Sequence, residues 1–204
     1  MLSERNEKVT VPQVTEPVPT IGELGPWTLT VESHGSSSND SVESAVETID
    51  VGTLQRLVSW TQIPQLAHIS GVGTQRTSFD FAAGGNDTTD NLALRLNFGP
   101  IRDTIRAWVN EQQLLPLDLT NAVADVSKYL ASGSNCVRFE VTSSLFNGLK
   151  TRGREALTST SLGPRNPELI SGLDFDEAGL IGPLTGQILR RVTVVSGRYL
   201  VLLL

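Results

Sequence analysis

The sequence predicts an all-β fold, an antiparallel jelly-roll β-sandwich. Three runs of residues alternate between apolar and polar side chains with a period of two, which is typical of strands with one buried face. The 204 residues include 18 glycines and 10 prolines, which indicates many turns. No stretch has the apolar spacing of a helix of useful length. The expected architecture is therefore two sheets packed face to face around one core.

The chain is predicted to consist of a leader, one domain and a tail. Residues 1–25 form an extended leader, because three prolines there alternate with valine and threonine and disfavour helix. The β-sandwich domain covers residues 26–196. Residues 197–204 form an apolar tail that is far shorter than the ~20 residues a membrane span needs. The polar N-terminus lacks the apolar segment of a secretory signal, so no signal peptide is predicted.

The domain is predicted to contain strands joined by turns and short loops. Alternation marks the strands, and glycine, serine and asparagine mark the turns. Predicted strands cover residues 26–31, 75–81, 92–98, 105–110, 136–141 and 187–195. Predicted connections are loops at 34–44 and 82–90, a glycine-rich corner at 70–73, a helical turn at 144–150 and a buried turn at 179–183. Ser127 is expected to cap a short turn over residues 128–130.

Charge and cysteine content argue against several classes of function. The net charge is −6, the pI is near 4.9, and the 16 lysines and arginines form no dense cluster, which argues against nucleic-acid binding. The one cysteine, Cys136, cannot form an intramolecular disulfide and is predicted to be a structural thiol. Neither nucleic acid nor membrane is an expected partner.

No pattern of residues predicts catalysis, a metal or a cofactor. His34 and His68 lie in a serine-rich loop and an apolar turn, without the motif that accompanies a hydrolase nucleophile. Asp125 is predicted to bond backbone amides within a turn. Residues 174–177 contain three acids and are interpreted as a solvated loop rather than a calcium site. We expect no catalytic residue, no metal site and no cofactor.

Carbohydrate binding is the one chemistry that the sequence favours. Sugar sites combine an aromatic ring, which packs on C–H faces, with amide and charged partners for hydroxyl groups. Alternation places Trp108 on the polar face of its strand, beside Arg106 and Asn110. These three residues are the predicted carbohydrate-binding site. The alternative is that Trp108 lies on this face because a neighbouring domain or loop covers it. Trp27 and Trp60 are predicted core or corner residues.

An ordered series of motifs covers residues 50–195. They are Trp60, Ile63-Pro-Gln-Leu66, Phe79-Asp-Phe81, Leu94-Arg-Leu-Asn-Phe-Gly99, Ala107-Trp-Val-Asn110, Asp125-Val-Ser-Lys-Tyr-Leu130, Gly133-Ser-Asn135 and Val137-Arg-Phe-Glu-Val141. Their order resembles the galactose-binding-like, sugar-binding domain of family 2 glycoside hydrolases. Two later motifs resemble the C-terminal end of large alpha-L-rhamnosidase-type hydrolases, particularly fungal ones: Leu145-Phe-Asn-Gly-Leu149 and Gly179-Leu-Ile-Gly-Pro183.

The resemblance implies a non-catalytic, carbohydrate-associated module of a glycoside hydrolase. In that family the catalytic acids belong to a separate domain, so the chain is expected to be a fragment or an orphan module. Its expected partners are that catalytic domain and carbohydrate. Sequons at Asn39 and Asn86 suit a secreted parent protein. The alternative function is a structural or interaction sandwich with no affinity for sugar.

The chain departs from the family pattern at the turn after Asn110. The family has glycine at the next position, where this chain has Glu111. A type I′ turn needs positive φ at both central residues, which strains a glutamate. The sequence therefore predicts a wider turn at this point.

Overall fold

The fold is an all-β sandwich of two antiparallel sheets, as the sequence predicts. A computed structural model describes residues 8–13, 20–36, 44–81, 92–151 and 172–195. Among these residues, no helix is long and apolar enough to cross a membrane.

Eleven strands and one short α-helix are present in the described residues. The strands are β1 Lys8–Gln13, β2 Thr20–Glu23, β3 Trp27–Ser36, β4 Ser44–Leu54, β5 Gly71–Phe81, β6 Leu92–Asn97, β7 Thr104–Val109, β8 Gln112–Gln113, β9 Val123–Asp125, β10 Gly133–Thr142 and β11 Thr185–Val195. The helix is α1 Phe146–Thr151, and two 3-10 turns cover Trp60–Gln62 and Ser127–Tyr129.

The strands form one five-stranded and one six-stranded sheet. The first has the order β1–β11–β6–β9, with β2 also paired to β11. The second has the order β4–β3–β5–β10–β7–β8. Strands distant in sequence are neighbours in both sheets, so each sheet is held together by long-range pairing rather than by hairpins alone.

Parts of the predicted leader are edge strands of the first sheet. β1 pairs with the C-terminal part of β11, from Lys8 opposite Val195 to Gln13 opposite Arg190. β2 pairs with the beginning of β11, where Ile21 lies opposite Gly186. The domain boundaries at residues 25 and 196 themselves remain predictions.

The core between the sheets is built from the alternating residues of the central strands. β10 buries Val137, Phe139 and Val141, and its intervening residues are only partly buried. The ring of Phe139 packs against Trp27 and Phe98, at centroid distances of 5.1 and 6.4 Å. Aromatic pairs at such distances add to the hydrophobic stabilisation of a core. The predicted alternation of this strand is thus confirmed.

A second apolar cluster forms around Trp60, which is fully buried. A Cβ on Gly73 would overlap Trp60 Cζ2, and a Cβ on Gly179 would overlap Trp60 Nε1. Glycine is therefore required at both positions because the indole ring lies directly against the backbone. The predicted glycine-rich corner at residues 70–73 is wrong: β5 begins at Gly71 and runs past the ring.

Two predicted turns differ from those in the structure. Val126, not Ser127, is the N-cap of the 3-10 turn, and the Ser127 hydroxyl instead accepts the Leu94 N–H at 2.9 Å. The turn after β7 is not widened, since Val109 pairs directly with Gln112. Asn110 and Glu111 adopt φ values of 50° and 60°. This is the tight two-residue geometry of a type I′ turn, with glutamate at a position that favours glycine.

Candidate functional site

Trp108 lies on the outer face of the second sheet, in β7. Its neighbours Ala107 and Val109 point into the core, and Trp108 itself is half-buried. In register it faces Arg138 of β10 on one side and Gln113 of β8 on the other. The predicted strand orientation is correct, and it sets the indole ring among polar side chains.

Arginine side chains flank the Trp108 ring. The Arg138 guanidinium carbon lies 3.7 Å from the ring centroid, and that of Arg106 lies 5.9 Å away. Glu140 accepts from both arginines, at 2.9 Å from Arg106 and 2.8 Å from Arg138. Arg138 therefore stacks on the aromatic ring while its N–H groups are directed by a carboxylate.

Glu111 completes this group of side chains from the strained turn. Its carboxylate binds Arg138 at 3.2 Å and Arg76 at 3.5 Å. These contacts lie at the surface, where an ion pair contributes about 0–1 kcal/mol. We call Arg106, Trp108, Glu111, Arg138 and Glu140 the Trp108 surface.

Asn110 has a structural task at the end of this surface. Its amide nitrogen donates to the Tyr129 carbonyl and to Asn135 Oδ1, at 2.9 and 2.8 Å. Its oxygen accepts the Cys136 N–H at 2.9 Å. Both amide hydrogens are thus used within the fold. A sugar contact by Asn110 remains a prediction, whereas Arg106 and Trp108 present atoms to the solvent.

The structure also forms a polar cleft that no sequence pattern indicates. Its volume is about 410 Å³, and it lies where three separate segments meet beside α1. Its lining residues are Arg102, Asp103, Ser143, Ser144, Asn147, Phe175, Asp176, Glu177 and Ala178. We call these residues the polar cleft.

Hydrogen bonds of a buried asparagine fix the shape of the polar cleft. The Asn147 amide donates to the Asp176 carbonyl at 2.8 Å and accepts the Asp176 N–H at 2.9 Å. Asn147 is only 4% exposed, and both bonds are partly buried. At the rim, Arg102 and Glu177 form an ion pair at 2.9 Å.

Within the polar cleft, the carboxyl group of Asp103 has a raised pKa. Burial raises the pKa of Asp103 above its ordinary value of 3.8, and the charge of the nearby Asp176 raises it further. A hydrogen bond from the Ser144 backbone acts in the opposite direction. Carboxyl groups with raised pKa values are concentrated in functional clefts, although structural sites also contain them.

The other residues considered from sequence have local structural contacts. Asp125 accepts the Ser127 N–H at 3.0 Å, which confirms its predicted turn role. His68 packs against Phe175 at a centroid distance of 4.6 Å. Within the described residues, no group of three His, Cys, Asp or Glu side chains could hold a metal ion. Asn39 and Asn86 lie outside the described residues.

Comparisons with known proteins identify structures similar to this chain. No protein-family model and no curated protein matches it. A rhamnosidase from Novosphingobium sp. PP1Y aligns with a TM-score of 0.57 and 18% identity, over 93% of this chain and 16% of the rhamnosidase chain. The likeness establishes the fold. The alignment with this chain covers only about one-sixth of the length of that enzyme.

Two further glycoside hydrolases align less closely. The β-D-glucuronidase of Dictyoglomus thermophilum has a TM-score of 0.49 and 14% identity, over 88% of this chain and 29% of its own. A β-glucuronidase of Faecalibacterium prausnitzii has a TM-score of 0.47 and 13% identity, over 97% of this chain and 37% of its own.

Proposed function

We propose that the chain is a non-catalytic, carbohydrate-associated module of a larger, secreted glycoside hydrolase, and that it binds carbohydrate at the Trp108 surface. The galactose-binding-like type suggested by the sequence motifs is part of this proposal. Support comes from the fold, which the chain shares with a minor part of a rhamnosidase. A module of this size leaves the catalytic acids to another part of the parent protein.

The observation that carries the proposal is the packing of Trp108 against the Arg138 guanidinium, with that of Arg106 5.9 Å from the ring centroid. One ring face carries the Arg138 guanidinium, so the indole is held in one orientation before any ligand arrives. Aromatic rings bind sugars through their faces and edges, while nearby charged groups bond the hydroxyls. Arg106, whose side chain is 64% exposed, supplies donors next to the ring.

A titration followed by calorimetry tests this proposal, because the heat of binding does not depend on the tryptophan that the variants replace. The purified chain is titrated with rhamnose, galactose and a rhamnosylated glycan. We expect saturable binding that Trp108→Ala removes and that Trp108→Phe retains in weaker form, because phenylalanine keeps an aromatic face. Thermal unfolding of each variant shows that the sandwich is intact. Saturable binding of equal strength in Trp108→Ala would contradict the location of the site.

A second candidate function, a scaffold that packs against the parent enzyme, is favoured by a different observation. Several large apolar side chains are exposed, among them Leu115 at 76%, Leu145 at 58% and Leu173 at 53%. Exposed apolar groups are frequent where a protein meets a partner. For a scaffold we expect no saturable binding of any of the three sugars by the intact, folded chain.

A further inference from the structure

We propose that the polar cleft is a second ligand site, one that binds the hydroxyl groups of a single neutral sugar ring. It is separate from the Trp108 surface. Asp103 precedes Trp108 by five residues, or about 16 Å along an extended strand, so the two lie near opposite ends of β7. One sugar ring cannot span both.

The polar cleft contains two acceptor groups without a cationic partner among the described residues. Glu177 is paired with Arg102. Asp103 and Asp176 are in no ion pair with another described residue, and the charge of Asp176 helps to raise the pKa of Asp103. The Ser144 backbone already donates to Asp103, and Asp176 is exposed, so the remaining acceptor positions of both carboxylates are open to further donors. A ligand with neighbouring hydroxyl groups supplies such donors.

The framework of the polar cleft is rigid, as a preorganised site requires. Three buried polar side chains hold its walls: Asn147 clamps Asp176, Ser70 accepts the Gly148 N–H at 2.9 Å, and Ser59 accepts the Ala178 N–H at 3.4 Å. Each of the three is at most 4% exposed.

A buried donor adjoins the same wall. The Trp60 side chain is fully buried, and its indole N–H has no hydrogen-bond acceptor among the described residues. It lies against Gly179, the residue after Ala178, and the Trp60 backbone donates to the Ala178 carbonyl at 3.0 Å. Buried polar atoms without a protein partner occur where water or a ligand completes the structure.

The size and charge of the polar cleft favour a neutral sugar ring over a metal ion or an apolar ligand. Its volume of about 410 Å³ is within the range of small-molecule sites. Arg102 is paired with Glu177, and Lys150 sits over the ring of the lining residue Phe175 at 4.8 Å, so the surroundings of the cleft include cations as well as acids. A metal ion would need more ligands than two carboxylates, and no suitable described group is present.

The test is a titration of the whole chain with methyl glycosides of rhamnose and galactose, followed by amide NMR spectra. We expect sugar-dependent shifts of the Ser144, Asn147 and Asp176 amide signals. Asp103→Asn is expected to weaken this binding about tenfold or more, as loss of a hydrogen bond to a charged group does. Asp174→Asn is the matched control, because Asp174 is an exposed acid of the same segment that does not line the cleft.

The outcomes separate this site from the Trp108 surface. Shifts at the polar cleft that persist in Trp108→Ala and weaken in Asp103→Asn support the proposal. No shift at the cleft with either sugar overturns it, whatever happens at Trp108. Equal sugar affinity of Asp103→Asn and the wild type overturns it as well. So do shifts of the cleft amide signals that calcium chloride produces and neither sugar does. Hydrolysis of a nitrophenyl glycoside that Asp103→Asn abolishes would instead make the cleft catalytic.

Discussion

The Arg138 guanidinium lies directly on the Trp108 ring, 3.7 Å from its centroid, at paired positions of β10 and β7. We expect Arg138→Lys to lower the free energy of unfolding by about 0.5–1 kcal/mol, because an ammonium group does not stack as a planar guanidinium does. The fluorescence of Trp108 should shift to the red as water reaches the ring. Denaturant unfolding and emission spectra measure both effects.

Arg76→Lys is the matched control for this stack. Arg76 joins the same ion-pair network through Glu111, at 3.5 Å. We expect neither a change in emission nor a loss of stability from this substitution. A red shift as large as that of Arg138→Lys would show that the network as a whole, and not the stack, determines the environment of Trp108.

Glu111→Gly is expected to stabilise the protein. Glu111 has a φ of 60°, and left-handed backbone costs an L-residue about 1–2 kcal/mol. The two ion pairs lost with its carboxylate are long, at 3.2 and 3.5 Å, and Glu111 is 59% exposed in both, so each is at the lower end of the range of about 0–1 kcal/mol. The strain therefore outweighs the pairs, and the free energy of unfolding should rise. Glu111→Gln keeps the strain and removes the charge, so a Glu111→Gly protein less stable than Glu111→Gln would refute the argument.

The central strands could be predicted from sequence because each has one buried face. The alternation in β6, β7 and β10 reports that burial directly, and the buried positions of Trp27 and Trp60 were predicted correctly. β4 has no buried residue among its described side chains, so no alternation marked it. It forms because β3 offers an open edge with ten pairing positions, which is a tertiary effect.

The Trp108 surface and the polar cleft also differ in how far they can be predicted from the sequence. The orientation of Trp108 follows from local alternation and was predicted. The polar cleft brings together Asp103, Asn147 and Asp176 from segments far apart in the chain, and only the packed fold makes them neighbours.

The tight turn at Glu111 was missed because glutamate is a poor residue for positive φ. Its contacts with Arg138 and Arg76 offset part of that strain.

Gly73→Ala is expected to destabilise the sandwich. Its new Cβ would overlap Trp60 Cζ2, and the buried ring has no space into which it can retreat without disturbing Leu29 and Val31. Overpacking of a core costs about 1–3 kcal/mol. Denaturant unfolding measures the loss. Gly22→Ala is the control, since no heavy atom lies within 4 Å of its Cβ position, and an equal loss there would contradict a role for Trp60.

Asp103 should make the protein less stable as the pH rises. Its pKa is raised in the folded state, so the folded chain binds the proton more tightly than the unfolded chain does. The stability that this provides is fully present below 3.8 and is lost as the pH rises through the folded pKa. At neutral pH, Asp103→Asn should therefore be more stable than the wild type, and the difference should disappear in acid.

Asp118 should behave in the opposite way and provides the control. Hydrogen bonds from the Thr120 side chain and backbone lower the pKa of Asp118 below 3.8. Its contribution is present above 3.8 and is lost as the pH falls through the folded pKa. Unfolding measured across pH should thus show Asp118→Asn less stable than the wild type at neutral pH. A stabilising Asp118→Asn would contradict these assignments.

The most direct test of carbohydrate binding at the Trp108 surface is an NMR titration of the three indole N–H signals with a rhamnosylated glycan. Trp27 is fully buried and serves as the internal reference. We predict that the Trp108 signal moves and saturates while the Trp27 signal stays in place, and that Arg106→Gln weakens the response of Trp108. A folded protein whose Trp108 signal stays unchanged at saturating glycan would contradict the account and favour a scaffold without sugar affinity.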